Sequence, residues 1–468
     1  MNENEKFERL VNPDNFFPRD LRRGALCGNK NFINATETYL KILAESQFWP
    51  RERLEGIQVK RLRTLTARIA ARSLFWAKLF REHKFSPATA TLRDLTRLPI
   101  FRRKDILGFG ESIYISPKDE DYPLFTRMGS GTTGIPLKLI FSEREFLIGW
   151  IPFLLRHPVF EQQSLVKLLS RKPFVVLGRP GMRYAFEKDF FFRTFDTIQS
   201  SDLEQPDVRK EIYKSIHEAT PAILMGFGSL VAKLAQLALE ERADFPLLAV
   251  RISSESVSST ERELINRVFK APVINLLSGN GIGTLGYECL ENPNRFHLHS
   301  ESVALEVAGE NGVIMPSGEE GELVATSFAF TLTPIVHFAH EDMGQLIPGM
   351  CPCGRTLPLF EFTGRRDYDV VLPSGKKIRM IHFHNILMEH GLGYKSRQMQ
   401  IIQNALDNLR ILVVPRKRLN DQEEINMRLA LTSLFEGEKI NIEIEYVESI
   451  SLGNGNKPRL FVPLSESK

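Results

Sequence analysis

One stretch of the chain, RMGSGTTGIPLK at residues 127–138, has the residue types of a phosphate-binding loop. Glycines let the backbone approach a ligand closely, and backbone N–H groups and hydroxyls can donate hydrogen bonds to phosphate oxygens. The loop consists of Ser130, Gly131, Thr132, Thr133 and Gly134. A Walker-type loop needs Lys and then Ser or Thr after its last glycine, but Ile135 and Pro136 follow here. We therefore expect a phosphate loop of another type, with an ordinary glycine turn as the alternative.

A second group of residues has the chemistry of a metal site. Three of the four cysteines are Cys289, Cys351 and Cys353, and two histidines, His297 and His299, lie between them in the sequence. Thiolates and imidazoles are the usual ligands of tetrahedral zinc, and a set of four protein ligands leaves no position open for substrate. The pattern therefore predicts a structural zinc site. The alternative is a group of reduced thiols near the core.

The composition excludes several classes of protein. Of 468 residues, 43% are hydrophobic and 25% are charged, and 61 Lys and Arg against 57 Asp and Glu leave a net charge of only +4. This excess is too small for a typical nucleic-acid-binding protein. The start, MNENEKFERL, is not a secretory signal, and no apolar run approaches the roughly 20 residues of a membrane span. We expect a soluble cytoplasmic protein with a small-molecule site and with no nucleic-acid or membrane partner.

From residue 51 onward the chain alternates between helical and strand patterns, whereas residues 1–45 carry little periodic signal. A helical spacing of apolar residues runs from 51 to 84, and Ser258 with Glu261 forms a capping-box pattern. Alternation of this kind predicts an α/β core with much parallel sheet. The predicted strands are 173–178, 222–226, 247–254 and 272–279, and the predicted helices are 228–242 and 256–269.

The sequence pattern changes in the last third of the chain. Residues 301–309 and 321–328 read as a hairpin-like pair of strands, and the composition shifts after 364–377. Beyond that point the chain reads as a compact α+β unit, in which His382 and His384 alternate as they would on a strand. The predicted fold class is α/β. A large N-terminal α/β domain with mixed sheets, 1–363, precedes a small mobile C-terminal α+β domain, 364–468.

Several segments occur in an order that resembles a known family. They are the helical run that ends in LPIFRRKDI, then GSGTTGIP, SSESVSSTERELINRVF, HLHSESVALEV, GEEGELVATSF, TPIVHFAHEDMG and CGRTLPLFEFTGRRDYDVVLPSGKKI. Together, over about residues 50–465, the chain resembles the adenylate-forming enzymes, specifically the phenylacetate–coenzyme A ligase family. The resemblance implies their two-domain fold. It also implies attack of a carboxylate on the α-phosphorus of ATP and transfer of the acyl group to a thiol, usually coenzyme A.

The resemblance implies roles for particular residues. Ser130, Thr132 and Thr133 would hold the β- and γ-phosphates, with Gly131 and Gly134 in the same loop, and Thr132 would act in catalysis. Asp342 falls at the position of the family's ribose-binding Asp. Arg365 falls at the position of an Arg near the ribose, just before the hinge at Arg366–Asp367. Lys457 corresponds to a late Lys that contacts the carboxylate and phosphate oxygens during adenylation.

The acid pocket of the family lies near Gly279 and Asn280, with His337 beside them, and here the sequence departs from the family pattern. Leu277 replaces an aromatic residue, and Gly281 replaces the Glu that helps to hold Mg²⁺. Asn280 stands where Thr is usual, and we count it with Lys457 and Thr132 among the catalytic candidates. Nearby Glu255 or Glu288 would have to stand in for the missing carboxylate. His337 and Ala339 replace a pair of Arg residues.

The resemblance also selects among the metal ligands and leaves the reaction open. Some relatives carry a structural zinc at the positions of Cys289, His297, Cys351 and Cys353, which favours His297 over His299. We expect an enzyme that uses ATP, Mg²⁺, structural Zn²⁺ and coenzyme A, with a carboxylic acid as substrate and a homodimer as a plausible assembly. A carrier protein or an amine is the alternative acyl acceptor. A catalytically impaired or repurposed nucleotide-binding protein is the other alternative, because of Gly281.

Overall fold

The structure is a computed structural model, and it describes most of the chain. The described residues are 1–17, 29–116, 124–128, 138–161, 163–169, 172–178, 192–196, 200–252, 257–279, 281–365, 369–390, 392–450 and 461–464. None of the helices in these ranges is long and apolar enough to cross a membrane.

The described residues contain fifteen α-helices and nineteen strands. The helices are α1 Glu3–Val11, α2 Lys30–Ser46, α3 Arg51–Arg72, α4 Leu74–Glu82, α5 Arg103–Phe109, α6 Glu143–Gly149, α7 Ile151–Leu155, α8 Pro158–Glu161, α9 Leu165–Leu169, α10 Pro206–Glu218, α11 Gly228–Glu240, α12 Ser259–Phe269, α13 Met380–Glu389, α14 Leu392–Lys395 and α15 Asp421–Ser433. The strands are β1 Leu124–Met128, β2 Lys138–Ser142, β3 Phe174–Gly178, β4 Phe192–Asp196, β5 Ala222–Gly226, β6 Leu247–Ile252, β7 Val273–Gly279, β8 Gly283–Cys289, β9 Asn292–Leu298, β10 Val303–Ala308, β11 Glu320–Ser327, β12 Phe338–Ile347, β13 Leu359–Arg365, β14 Asp369–Val371, β15 Lys377–Arg379, β16 Ser396–Ala405, β17 Asn408–Pro415, β18 Asn441–Tyr446 and β19 Phe461–Val462.

The described residues divide into two compact units. The first consists of those in 1–174, 192–193 and 274–362, and the second of those in 175–178, 194–273 and 363–464. The units are therefore not the two predicted consecutive domains, since 194–273 groups with the end of the chain. The prediction of a mobile domain at 364–468 concerns motion as well as contacts, and it stays a prediction.

The first unit is built on antiparallel pairs of strands. β10 pairs with β11, β11 with β12, β13 with β9, β9 with β8 and β8 with β7, all antiparallel. A core of apolar side chains, among them Leu62, Trp76, Phe101, Phe338 and Phe360, packs helices α3 and α4 against these strands. The hairpin-like pair predicted at 301–309 and 321–328 is confirmed as the antiparallel strands β10 and β11. Antiparallel pairs in this unit and parallel pairs in the second unit agree with the predicted mixed sheets.

The second unit has the parallel α/β character that the sequence predicts. β5 pairs with β6 in parallel, and their buried residues pack with α10, α11 and α12. The strand predicted at 222–226 is confirmed as Ala222–Gly226, and the Ser258–Glu261 capping box starts α12. A separate four-stranded sheet, in the order β18-β17-β16-β19, packs against α13 and α15 around Phe383, Ile411 and Phe461. The mixed α/β fold class with a smaller C-terminal sheet is confirmed.

Two local predictions are wrong for identifiable reasons. Residues 1–45 contain α1 and α2, and the second of these was missed because its buried face includes Thr36 and Tyr39 among the apolar residues. His382 and His384 lie in α13 and not on a strand. The buried residues Met380, Phe383 and Leu387 have the spacing of a helix, and that spacing outweighs the alternation of the histidines.

The N-terminal helices are fixed to the strands by one buried ion pair. Arg156 donates from Nη1 to Oε2 of Glu301 over 2.6 Å and from Nη2 to Oε1 over 3.0 Å. Arg156 is 3% exposed and Glu301 is 0% exposed. Arg156 also donates to the Leu43 carbonyl in α2, and Ser46 donates to the Glu301 carboxylate. Arg61 in α3 donates to the Glu301 carbonyl, so three segments meet at this residue.

We expect Glu301→Gln to destabilise the protein by about 3–5 kcal/mol, because it leaves the Arg156 guanidinium buried without a counter-charge. Urea unfolding followed by circular dichroism measures this loss. The matched control is Glu319→Gln, since Glu319 is an exposed carboxylate in the same unit. Equal midpoints for the two variants would show that the buried pair does not stabilise the fold.

Candidate functional site

Four predicted metal ligands come together in the first unit. Cys289 is the last residue of β8, His297 lies in β9, and Cys351 and Cys353 lie in the turn between β12 and β13. One ligand atom from each side chain lies within 4.8 Å of all the others. Pairing of β8 with β9 places Cys289 near His297, and the adjacent β13 delimits the turn that carries the other two cysteines.

The distances within this cluster fit a tetrahedral zinc ion. Zn–S bonds of about 2.3 Å at tetrahedral angles place two sulfur atoms about 3.8 Å apart. Sγ of Cys289 and Sγ of Cys351 are 3.7 Å apart, and Sγ of Cys353 is 3.3 Å from Nε2 of His297. The two pairs thus already have the separations of metal-bound ligands, without any rearrangement of the backbone.

Burial and neighbouring charges set the ionisation of these ligands. Burial lowers the pKa of His297 to about 3, with Arg355 and Arg156 adding to the effect, so the ring stays neutral, as metal binding requires. Burial raises the pKa of Cys289 to about 12 and also raises the pKa of Cys351. Burial opposes ionisation of Cys353 too, but hydrogen bonds from the backbone and side chain of Arg355 give its thiol a lowered pKa.

The predicted choice between the two histidines agrees with the geometry. Nδ1 of His299 lies 3.4 Å from Nη1 of Arg156, and its ring packs at 5.1 Å from the ring of Phe153. His299 therefore belongs to the buried ion-pair network, while His297 faces the thiols.

A shell of hydrogen bonds connects the metal cluster to the end of α2. Nε of Arg355 donates to Oε1 of Gln47 over 2.9 Å, and the hydroxyl of Tyr287 donates to the same atom over 2.7 Å. Thr356 donates from its hydroxyl to the carbonyl oxygen atoms of Gln47 and Trp49. Sequence reasoning missed this shell, because nothing in the pattern around Gln47 indicates a partner about 300 residues away.

Much of the predicted nucleotide site lies outside the described residues. This applies to Ser130, Gly131, Thr132, Thr133, Gly134, Glu255, Asn280 and Lys457. The strands that flank the phosphate loop are described, and Met128 at the end of β1 pairs with Lys138 at the start of β2. Arg365 is the half-buried last residue of β13. The roles of all these residues stay predictions.

Asp342 lies in an irregular part of β12. Glu322 pairs with Met343 and Val324 pairs with Ala339, so the three residues 322–324 of β11 lie opposite the five residues 339–343 of β12. Glu341, in the middle of this bulge, has a φ of 66°, a backbone conformation that residues other than glycine rarely adopt. Such bulges re-aim side chains and often lie beside active sites. The ribose-binding Asp predicted from the sequence thus lies at a distorted point of the sheet.

Gly279, predicted to line the acid pocket, lies directly against His340. A Cβ placed on Gly279 would be 3.0 Å from Cε1 and 3.3 Å from Nε2 of His340. The imidazole is further held by the ring of Phe338, with 4.7 Å between the ring centroids in an edge-on arrangement. His340 was not among the predicted residues. The signal in the sequence was its position two residues before Asp342.

The structure encloses His337 among groups of the first unit. Its Nδ1 lies 2.9 Å from the Leu98 carbonyl oxygen, and its Nε2 lies 3.6 Å from Oε2 of Glu306. Burial lowers the pKa of His337 and raises the pKa of Glu306 to about 7. These contacts account for the position of the ring, and its role in substrate binding stays a prediction.

The position where the resemblance predicts a magnesium-binding Glu is tightly packed. Gly281 has a φ of 81°, and a Cβ there would lie 3.1 Å from Cγ1 of Ile335 and 3.3 Å from Cδ2 of Leu139. Of the two suggested replacements, Glu288 accepts hydrogen bonds at both carboxylate oxygens, from the backbone N–H groups of Asn275 and Asn294. Glu288 therefore has a structural role between strands, which leaves Glu255 as the candidate.

Comparison with known proteins finds one family match near the end of the chain and one relative that matches most of its length. Residues 370–462 match the family described as the CapK C-terminal domain. The chain is 21% identical over 364 residues to a phenylacetate–coenzyme A ligase of Thermus thermophilus, and the match covers 74% of this chain and 77% of the relative.

Solved structures agree in fold. The structure of a 2-hydroxyisobutyryl-CoA ligase in the postadenylation state with 2-HIB-AMP superposes with a TM-score of 0.67 at 17% identity, covering 90% of this chain and 93% of that one. An anthranilate CoA ligase in complex with anthranoyl-AMP gives a TM-score of 0.52 at 12% identity, covering 72% and 64%. The chain is therefore similar in fold to solved acid–CoA ligases, and in sequence it is similar to a phenylacetate–coenzyme A ligase.

Proposed function

We propose that the protein activates a carboxylic acid with ATP and then transfers the acyl group to a thiol such as coenzyme A. The observation that carries this proposal is the match to CoA ligases over about nine-tenths of the chain, including one captured with an acyl-adenylate. In the first step, the carboxylate oxygen bonds to the α-phosphorus and pyrophosphate leaves. In the second step, the thiol sulfur bonds to the acyl carbon and AMP leaves.

In this proposal each predicted residue has a defined task. The hydroxyls of Ser130, Thr132 and Thr133 donate to the leaving phosphates, which orients them for in-line displacement. Asp342 accepts hydrogen bonds from the ribose hydroxyls, and Arg365 lies near the same sugar. Lys457 places a positive charge where negative charge develops in the transition state, which is the most effective form of electrostatic stabilisation.

A bound Mg²⁺ would neutralise charge on the triphosphate during the first step. Since Gly281 offers no carboxylate and Glu288 is engaged by the backbone, the proposal leaves Glu255 to contact the ion. A carrier protein or an amine is the alternative acyl acceptor, and a pair of identical subunits is the assembly we expect.

A second candidate function is altered or impaired catalysis in a protein that still binds nucleotide. Gly281 favours it, because a glycine supplies no carboxylate and its positive φ and tight packing oppose a side chain at this position. The two candidates differ in whether pyrophosphate exchange occurs.

The structural Zn²⁺ is part of the proposal. The closed set of two buried cysteines, one buried histidine and Cys353 would hold the ion away from the reaction. Its role would be to fix the 351–356 turn, and with it the Arg355 and Thr356 contacts to Gln47 and Trp49 at the end of α2.

The first prediction concerns adenylation itself. We expect ATP–pyrophosphate exchange that depends on a pool of aryl or fatty acids and is abolished by EDTA, because the triphosphate requires a metal ion. Lys457→Ala should lower exchange by about 100-fold or more, because it removes positive charge from the transition state.

The control for the Lys457 variant is Lys210→Ala, which removes an exposed lysine from α10 and should leave exchange unchanged. Equal exchange in the Lys457 and Lys210 variants would show that Lys457 has no role in adenylation. Absence of exchange from folded wild-type protein with every pool would favour the second candidate function.

The second prediction concerns zinc. Elemental analysis of protein prepared without chelators should find about one zinc per chain. Cys351→Ser should lose the metal and lower the melting temperature, because a structural ion contributes directly to folding free energy. Cys27→Ser, which changes the one cysteine that is not a predicted ligand, should keep the zinc content and the melting temperature at wild-type values. Equal zinc contents in the two variants would contradict the assignment.

The third prediction concerns Gly281. A side chain at a φ near 80° costs roughly 1–2 kcal/mol, and overpacking adds about 1–3 kcal/mol. Gly281→Ala should therefore destabilise more than Gly375→Ala, since Gly375 has a φ of 85° but no neighbour within 4 Å of the position that a Cβ would take. Gly281→Glu should lower exchange. A rise in exchange would mean that the position tolerates a metal-binding carboxylate.

A further inference from the structure

We infer that His340 is a further binding residue of the proposed adenylation site and that its imidazole contacts the α-phosphate of the nucleotide. The inference rests on the proposed function and adds to it a residue that the resemblance to the family did not supply.

The covalent order of an acyl-adenylate fixes the neighbours of its α-phosphate. Its α-phosphate lies between the ribose, on one side, and the acyl carbonyl, on the other. A residue that lies between the ribose-binding group and the acid pocket is therefore next to the α-phosphate. In this chain the proposed ribose-binding group is Asp342, and the proposed acid pocket includes Gly279.

His340 has this intermediate position. It is two residues from Asp342 along β12, which corresponds to at most about 6–7 Å between Cα atoms of a strand. On its other side, the Cε1–Nε2 edge of the ring occupies the space where Gly279 would carry a side chain. The imidazole thus covers the end of β7, and β12 carries the other proposed ligand of the nucleotide.

The local backbone supports a functional reason for this placement. Glu341, between His340 and Asp342, has a positive φ, a strained conformation that persists only where the surrounding structure imposes it. Both ends of the distorted segment are fixed, since the N–H of Ala339 donates to the Phe101 carbonyl over 2.8 Å and Met343 pairs with Glu322. His340 and Asp342 thus both lie in a segment whose backbone departs from regular strand geometry.

The chemistry of the side chain suits the ligand. An imidazole donates a hydrogen bond in both its neutral and its protonated form, and the α-phosphate of an acyl-adenylate carries one negative charge. A hydrogen bond to a charged group is worth more than one between neutral groups. His340 is half-buried, so the bond would form in a site that is partly shielded from water.

The test compares two probes that differ only in the phosphate, AMP and adenosine, by calorimetric titration. In the wild type, AMP should bind more tightly than adenosine. His340→Ala should weaken AMP binding by about 10- to 100-fold, which is the range for losing a hydrogen bond to a charged group, and should leave adenosine binding within about twofold. His340→Gln keeps an N–H donor and should recover part of the preference for AMP over adenosine. If the role of His340 were purely structural, this recovery would not be expected.

Controls separate this inference from folding and from the proposed function. His217→Ala removes an exposed histidine from α10 and should change neither affinity. His340→Leu keeps a side chain of similar volume but removes the hydrogen-bond donor. It replaces His340→Ala in the titrations if the Ala variant does not fold. If the wild type prefers AMP and neither His340 variant reduces that preference, the inference is wrong while the proposed function stands. If the wild type binds neither AMP nor adenosine, the proposed function fails first and the inference fails with it.

Discussion

The buried carboxylate of Glu301 is the constraint on which the first unit depends. A carboxylate without solvent must be paired and hydrogen-bonded, and here Arg156 supplies the charge while Ser46 supplies a further donor. The Glu301 carbonyl accepts from Arg61 as well. Because these donors come from α2, α3 and the end of α7, the pair has a full set of partners only when all three segments are in place. The ion pair therefore specifies one arrangement of helices on the strands, beyond whatever it adds to stability.

The cluster of Cys289, His297, Cys351 and Cys353 contacts the same network. Tyr287 is hydrogen-bonded to Gln47, and its ring lies 5.4 Å from the ring of His297 and 5.6 Å from that of His299. His297 lies with the thiols, and His299 lies beside Arg156 of the ion pair. A change in the position of the cluster would therefore displace Arg355 and alter its hydrogen bond to Gln47 at the end of α2. This connection explains how a cluster remote in sequence can stabilise the N-terminal helices.

Elements with a strong local pattern could be predicted from the sequence. The buried strand at 222–226 and the capped helix that follows Ser258 have their own signals, namely a continuous apolar run and a capping box. The metal cluster could be predicted because thiols are few and chemically specific. The helix α2 could not, because Thr36 and Tyr39 occupy its buried face, and the shell around Gln47 could not, because its contacts join residues far apart in the chain. His340 went unnoticed for a related reason, since its contact with Gly279 depends on how two strands lie together.

The four positions at which the sequence departs from the family pattern lie in two segments that contact each other in the structure. Leu277 and Gly281 belong to one segment, and His337 and Ala339 belong to another, so along the chain they look like independent losses. In the structure the two segments touch, since Gly279 faces His340 and Gly281 faces Ile335. His340 and Ile335 of one segment therefore pack where Gly279 and Gly281 of the other carry no side chain, so a substitution in either segment acts on both.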